Sequence, residues 1–215
     1  MNINGNTDNR YLDILNEKIV ERGTEIYLYR KKYLDYINDN IKSIYKNIID
    51  IDNINIIYET NIDFKTFEKE NIKEKYLKVL TNNLNKEIMQ GMTLYGPHRD
   101  DFSFYIGEDD LKFYGSQGQQ RVAIIAFKLA EVELFKQEKN TTPILLLDDI
   151  FSELDIKKRN RLIKYLPENI QIIITTTDLK NIKKSIIDNS KVFIVEKGKI
   201  EEKAGYYGYR KIRTL

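Results

Sequence analysis

Apolar side chains in the first half of the chain follow the spacing of long helices. Over residues 11–49 they recur at alternating steps of three and four, and the segment contains no proline and a single glycine. Such spacing is typical of a helix that packs along one seam against a partner helix. The predicted seam consists of Leu12, Leu15, Ile19, Ile26, Tyr29, Tyr33, Ile37, Ile41, Ile44 and Ile48.

A second helix is predicted over residues 67–89, with an apolar side formed by Tyr76, Leu77, Leu80, Leu84 and Ile88. Between the two helices, residues 54–58 are mostly β-branched or aromatic and favour a short strand. We expect residues 1–92 to form a helical arm segment. A discrete coiled coil that binds a partner protein would have the same pattern.

From residue 93 onward the pattern changes to strands that alternate with helices. Strands are predicted over 101–106, 111–114, 143–147, 171–176 and 192–196, with a last short strand after Gly198. Helices are predicted over 118–137, 156–166 and 179–187, the first of them with Val122, Ile125, Ala126, Leu129 and Val132 inside. The wholly apolar run 143–147 indicates a strand buried on both faces of a parallel sheet. Residues 93–215 therefore have the pattern of an α/β domain.

Composition excludes several kinds of chemistry. The chain has 215 residues and no cysteine, so disulfides, thiol catalysis and cysteine-bound zinc are excluded, and its single histidine, His98, excludes multi-histidine metal sites. Lysine and arginine number 35 against 33 acidic residues, a balance of +2 that neither requires nor excludes a polyanionic partner. The apolar runs are far shorter than the roughly 20 residues of a membrane span. We therefore expect a soluble, cytoplasmic protein.

Two adjacent carboxylates, Asp148 and Asp149, follow the apolar strand. In open α/β sheets, ligands bind beyond the carboxyl ends of the strands. A carboxylate there favours a cation such as Mg²⁺ on nucleotide phosphates, and a second acid can orient an attacking water. The same acids could instead cap the next helix or pair with lysines.

A serine-containing loop, residues 114–121 (YGSQGQQR), stands just before the helix predicted at 118–137. Two glycines flank Ser116 and Gln117, so backbone N–H groups are left open at a helix start, where the helix dipole favours an anion. Ser116 is also a good N-cap, and its hydroxyl could donate to a phosphate oxygen. A helix cap with glycines for a tight turn would look the same.

Three segments in this order resemble the ABC-type ATPases. Residues 116–124 resemble the signature loop, residues 144–149 the Walker B strand, and residues 152–155 (SELD) the D-loop. Within that group the resemblance is closest to the RecF family, because of the Asp-Asp pair, the run GPHRDD at 96–101 and the three threonines at 175–177. The resemblance covers about residues 91–200 firmly and the helical front more weakly.

The resemblance implies a fold and a set of site residues. The fold would be the carboxy-terminal lobe of an ABC-type ATPase head, preceded by a helical arm segment. Asp148 would hold Mg²⁺, Asp149 would polarise the hydrolytic water, Thr177 would stand where transporters have a switch histidine, and Asp155 would lie across a dimer interface. The γ-phosphate of ATP held by a second subunit would face Ser116, Gln117, Gly118 and Gln119.

The resemblance also implies a function in DNA repair and recombination. The protein would bind ATP and DNA, form an ATP-dependent homodimer, and work with RecO and RecR to load recombinase at single-strand gaps. Hydrolysis would be slow, because threonine replaces the switch histidine. The alternatives are another ABC- or SMC-type repair ATPase, and a non-catalytic protein-interaction module.

One expected motif is absent from the sequence. No Gly-x-x-x-x-Gly-Lys-Ser/Thr occurs, since the only Gly-Lys pair, Gly198-Lys199, precedes Ile200. The resemblance therefore implies the carboxy-terminal part of a RecF protein, which we expect not to hydrolyse ATP by itself.

Two further features have two interpretations each. His98 is either a turn residue or an inter-lobe contact. The tyrosines and basic residues at 203–213 either contact nucleic acid or form a solvated terminus.

Overall fold

The computed structural model describes residues 9–139, 141–177, 179, 187–188 and 190–202. Its helices are α1 (Asn9–Ile49), α2 (Lys69–Gln90), α3 (Leu111–Tyr114), α4 (Gln117–Lys139) and α5 (Ile156–Tyr165), with a 3₁₀ turn at Pro97–Arg99. Its strands are β1 (Ile54–Glu59), β2 (Asp101–Ile106), β3 (Asp109–Asp110), β4 (Leu145–Leu147), β5 (Ile172–Ile174), β6 (Phe193–Glu196) and β7 (Lys199–Glu202). No helix in these ranges is both long enough and apolar enough to span a bilayer.

Helix α1 confirms the long helix predicted at the front of the chain, but the predicted seam is wrong at Ile26 and Tyr29. Ile26 and Tyr29 are 42% and 74% exposed, and the inner face passes through Gly23 and Thr24. A Cβ at Gly23 would lie 2.5 Å from a ring carbon of Tyr76, so the glycine makes room for that ring. The buried apolar side chains of α1 are Val20, Tyr27, Leu34, Ile37, Ile41, Ile44, Tyr45 and Ile48.

Helix α2 starts two residues later than predicted and ends at Gly91, whose φ of 64° gives a left-handed cap. The predicted apolar side is wrong at Leu77, which is 42% exposed, whereas Ile72, Tyr76 and Leu80 are buried. Around Tyr27 the rings of Phe64 and Tyr76 pack edge-on, with centroids 4.7 and 5.7 Å away. These side chains form a first core cluster, which also contains Val20 and Ile62.

The larger second core cluster joins the later part of α1 to β1, α4, β4 and α5. Strand β1 pairs antiparallel with β2, from Ile54 opposite Ile106 to Glu59 opposite Asp101. This pairing connects the two sides of the boundary expected between residues 92 and 93. The division into an arm segment and a lobe stays a prediction.

The predicted strand at 111–114 is wrong, because these residues form helix α3. Strand β3 is only two residues long, after a turn at Gly107 with φ of 62°. The Asp110 carboxylate then accepts a hydrogen bond from the Lys112 N–H at 2.8 Å and so caps the first turn of α3.

Strands β4 and β5 confirm two of the predicted strands, and they pair in parallel, with Leu145 opposite Ile172 and Leu147 opposite Ile174. Burial on both faces is wrong for the described residues: Leu145 and Leu147 are buried, whereas Leu146 is 68% exposed. Helices α4 and α5 and the hairpin β6–β7 are confirmed near their predicted positions. The helix predicted at 179–187 lies largely outside the described residues.

Candidate functional site

The serine loop forms a reciprocal cap at the start of α4. The Ser116 hydroxyl accepts a hydrogen bond from the Gln119 N–H at 3.3 Å, and the Gln119 side-chain oxygen accepts one from the Ser116 N–H at 2.8 Å. This arrangement is a capping box, and it confirms Ser116 as an N-cap. The hydroxyl proton is not used in the box, and the N–H groups of Gln117 and Gly118 belong to the unpaired first turn. These donors are the groups that an anion would meet.

Gly118 brings this first turn close to the segment that follows the acid pair. A Cβ at Gly118 would lie 3.2 Å from the Glu153 carbonyl oxygen and 3.6 Å from the Lys158 ammonium. Any larger side chain would therefore press on the Glu153 backbone. The loop that resembles the signature loop and the segment that resembles the D-loop are therefore direct neighbours within one copy of the chain.

The two acids stand at the carboxyl end of β4, as predicted, and the adjacent strand holds them. Thr175, just after β5, donates its hydroxyl to the Asp148 carboxylate and accepts the Asp149 N–H at 3.0 Å. Parallel strands end at the same edge of a sheet, so β5 delivers this threonine to the acids. Asp149 has φ of 43°, in the left-handed region that non-glycine residues seldom adopt.

Arg121 joins the loop to the acids. One guanidinium nitrogen donates to the carbonyl oxygens of Asp149 at 2.6 Å and Asp148 at 3.1 Å. The Ser152 hydroxyl also donates to the Asp149 carbonyl, at 3.1 Å. Sequence reasoning missed the contacts of Arg121 and Thr175, although both residues stand inside the segments that carried the resemblance.

Asp155 caps helix α5. Its carboxylate accepts the Lys158 N–H at 2.9 Å and lies 3.0 Å from the Lys158 ammonium. The backbone hydrogen bond first, and then the lysine side chain, hold the pKa of Asp155 below its usual range. A contact of Asp155 with a second subunit stays a prediction.

The remaining predicted site residues lie at the surface. Gln117 is exposed at the first position of α4, and Thr177 is exposed three residues beyond the end of β5. It is Thr175, rather than Thr177, that contacts the acids in this chain. The predicted role of Thr177 toward a phosphate or water stays a prediction.

The acid pair fits a metal ion shared with a ligand. Within the described ranges, no group of three or more histidine, cysteine, aspartate or glutamate side chains is placed to hold a metal. Mg²⁺ on nucleotide phosphates needs only one or two carboxylates, since phosphates and water supply the other oxygens. Asp148 is exposed, and Thr175 contacts only one of its two carboxylate oxygens.

The GPHRDD run is a structural junction. The Asp100 side chain is fully buried, accepts the Tyr58 hydroxyl at 2.7 Å and the Asn61 N–H at 3.1 Å, and lies 4.0 Å from the Arg30 guanidinium. Arg30 also donates to the Pro97 carbonyl oxygen, so α1 is tied to this run. His98 is an exposed residue of the 3₁₀ turn, with its ring 3.2 Å from the Thr93 carbonyl oxygen. The 203–213 segment lies outside the described residues.

Comparisons with known proteins identify relatives of this arrangement. No family model matches the chain. The DNA replication and repair protein RecF of Alkaliphilus oremlandii is 41% identical over 192 residues, which are 88% of this chain and 52% of that protein. RecF of Halothermothrix orenii is 40% identical over 197 residues, which are 90% of this chain and 52% of that protein. The chain spans about half the length of the curated relatives it matches.

Solved structures agree with these relatives. A structure of the recombination mediator protein RecF with ATP, in the RecFOR pathway, has a TM-score of 0.74 and 31% identity over 94% of this chain and 52% of its own. Its counterpart with ATPrS has a TM-score of 0.73 and 30% identity. The predicted fold class, part of an ABC-type ATPase head with mixed helices and strands, is confirmed. The chain belongs to the RecF family of DNA replication and repair proteins.

Proposed function

We propose that this chain supplies the signature loop and the acid pair of a RecF-type ATPase that acts in DNA repair and recombination. Its cofactors are ATP and Mg²⁺, and its partners are DNA, RecO, RecR and a second copy of the same protein. Its place of action is the cytoplasm. The proposal rests on the RecF relatives and on the ATP-bound RecF neighbours.

The single observation that carries the proposal is the hydrogen-bond network around the acids. Arg121 and Thr175 hold Asp148 and Asp149 from two sides, and Arg121 stands on the helix that begins with the Ser116 loop. Donors for an anion and carboxylates for a cation thus belong to one rigid unit. A nucleotide with its metal ion needs both kinds of group, and in a pair of copies one copy supplies the donors and the other copy supplies the carboxylates.

Each residue has a distinct task in this proposal. Asp148 directs its exposed carboxylate oxygen to Mg²⁺, which neutralises phosphate charge when it is bound. Asp149 orients the attacking water and accepts its proton, while the Thr175 hydroxyl fixes the Asp149 backbone. Ser116, with the N–H groups of Gln117 and Gly118, donates to the terminal phosphate. Thr177 adds a hydroxyl that cannot take up charge as an imidazole can, which favours slow turnover.

Two copies of the protein share each nucleotide. The loop at the start of α4 is exposed at Ser116 and Gln117, so it can reach a phosphate held by a second copy. Nucleotide binding then stabilises the pair, and hydrolysis releases it. DNA contacts are mainly electrostatic and weaken with salt.

The test uses a RecF protein of the relatives' full length that contains this sequence, called here the full-length form. We expect Asp149→Asn to bind ATP as the parent does, to keep ATP-dependent dimers in light scattering, and to lose about 100-fold in ATP turnover. Glu108→Gln is the matched control, because it is the same kind of acid-to-amide change at an exposed residue of the turn between β2 and β3, outside the candidate site. Parental turnover in Asp149→Asn would contradict the proposal.

A second variant separates the metal site from a purely structural acid. If Asp148 holds Mg²⁺, Asp148→Ala in the full-length form stays folded by circular dichroism and loses Mg²⁺-dependent turnover. If the chain is a non-catalytic interaction module, Asp148→Ala loses stability instead, and turnover survives in the molecules that remain folded.

A further inference from the structure

Arg121 is a charged side chain whose partners are backbone atoms of the acid pair. It is the fifth residue of α4, and its guanidinium reaches the carbonyl oxygens of Asp148 and Asp149 rather than their carboxylates. Among the described residues, no ion pair joins Arg121 to either acid. The arginine therefore fixes the direction of the chain at the acids without neutralising the carboxylates through a direct pair.

The backbone at Asp149 needs such support. A non-glycine residue with φ of 43° is strained, and it stays in the left-handed region only where its surroundings hold it. Three residues hold it here: Arg121 and Ser152 on its carbonyl oxygen, and Thr175 on its N–H. Of the three, the Arg121 contact is the shortest and the only one made by a charged donor. Hydrogen bonds with a charged donor are stronger than hydrogen bonds between neutral groups.

The position of Arg121 on α4 gives the contact a second consequence. Ser116 and Arg121 are five residues apart along one helix start, which is about 7.5 Å of helical rise. A helical turn is stiff, and Ser116, Gln119 and Gln120 are locked to one another by the capping box and the first helical bond. A displacement of the loop is therefore passed on to the Asp148 and Asp149 carbonyls.

We propose that Arg121 is a positioning residue that holds the Asp148–Asp149 backbone in its left-handed turn and makes the Ser116 loop and the acid pair move as one unit. The proposal deepens the proposed function and rests on it for the identity of the ligand. In a dimer, each copy contributes its loop to one nucleotide and its acids to the other. Arg121 thereby links the two nucleotide sites through a single copy.

The first test needs no nucleotide and uses the 215-residue chain. In amide hydrogen exchange, we expect Arg121→Ala to speed exchange at Asp149, Ser152 and Leu154 by about tenfold, because the local turn opens more often. Arg121→Lys keeps a charged donor group, so its exchange rates should fall between those of the parent and those of Arg121→Ala. Lys136→Ala, which removes a cation near the far end of the same helix, is the matched control and should exchange as the parent does.

Two outcomes of this test would overturn the proposal. One is parental exchange at the acid turn in Arg121→Ala. The other is faster exchange to the same degree in the first core cluster around Tyr27 and Tyr76, which would make Arg121 a general stabiliser and not a positioning residue.

The second test measures turnover in the full-length form. We expect Arg121→Ala to lower kcat by about tenfold with little change in the Kd for ATP, since the lost interaction acts on the positioned acids. Millimolar guanidinium chloride should restore part of the turnover, whereas sodium chloride at equal ionic strength should not. A fall in ATP affinity that accounts for the whole loss would overturn the proposal.

The two tests separate this proposal from the proposed function. If the parent full-length form does not hydrolyse ATP, the proposed function fails, and the exchange experiment still decides whether Arg121 holds the acid turn.

Discussion

The buried Asp100 carboxylate allows a quantitative test of what the GPHRDD run does. The perturbation is Asp100→Asn, which keeps the shape of the side chain and removes its charge. Asp100 accepts from the Tyr58 hydroxyl and from the Asn61 N–H, and the half-exposed Arg30 guanidinium lies 4.0 Å away. An asparagine offers one oxygen and an NH₂ group, so it cannot accept from both donors as the carboxylate does.

The magnitude follows from the contacts that are lost. A hydrogen bond to a buried charged group contributes about 1.5–3 kcal/mol, and the partly exposed ion pair adds no more than about 1 kcal/mol. We therefore expect Asp100→Asn to lower the free energy of unfolding by about 2–4 kcal/mol at neutral pH. Tyr58→Phe removes one hydroxyl and keeps the packed ring, so it should cost about 1–2 kcal/mol.

The assay is urea unfolding of the 215-residue chain, followed by circular dichroism. Asp101→Asn is the matched control, because Asp101 is the adjacent acid and is exposed, and its carboxylate accepts a hydrogen bond from the N–H of Phe102 at 2.8 Å. The double variant Asp100→Asn/Tyr58→Phe should cost less than the sum of the single changes, since the two groups share one bond. Equal unfolding energies for Asp100→Asn and Asp101→Asn would refute the reasoning.

Three more predictions concern the acid turn, a glycine and a tyrosine. Thr175→Val should lower ATP turnover of the full-length form by about 5- to 30-fold, because both hydrogen bonds to the acids are lost, whereas Thr175→Ser should stay near the parent in the same assay. Gly96→Ala should lower the free energy of unfolding in urea by about 3 kcal/mol, because the φ of Gly96 is 137° and a Cβ there would collide with the Tyr76 hydroxyl. Gly91 also has a positive φ but has open space around it, so Gly91→Ala should lower the free energy of unfolding by only about 1 kcal/mol in the same urea measurement. Burial, followed by the charges of nearby acids, raises the pKa of Tyr76 from 10.0 to about 12. This tyrosine therefore contributes stability that is complete below pH 10.0 and is lost as the pH rises toward 12. In thermal unfolding over that pH window, the stability of Tyr76→Phe should fall less steeply with pH than that of the parent, and an equal slope would contradict this.

The helices and the order of elements could be predicted from the sequence because they depend on local periodicity. The inner face of α1 could not, because Gly23 and Thr24 interrupt its apolar pattern while Ile26 and Tyr29 lie outside it. What fills the gap is the Tyr76 ring, more than fifty residues away along the chain. Helix α3 was missed for a similar reason, because the Asp110 cap decides its conformation.

The candidate site was predictable to the level of its motifs and no further. Ser116, Asp148 and Asp149 were found because their residue types and spacing match a known order of motifs. The contacts of Arg121 could not be found in this way, because its partners are backbone carbonyls, which every residue has. The resemblance points to Thr177, which stands where transporters have a switch histidine, and nothing in the sequence shows that Thr175 contacts the acids.

The continuity of α1 has a mechanical consequence. This single helix of 41 residues, about 60 Å long, enters both core clusters. Neither cluster can pivot freely against the other without bending it. The Tyr45 hydroxyl, near the end of α1, donates to the Gln119 carbonyl oxygen in the first turn of α4. A tilt of about 5° at this end would carry the opposite tip of α1 through about 5 Å, so the helix can act as a lever arm that amplifies small motions of the first turn of α4.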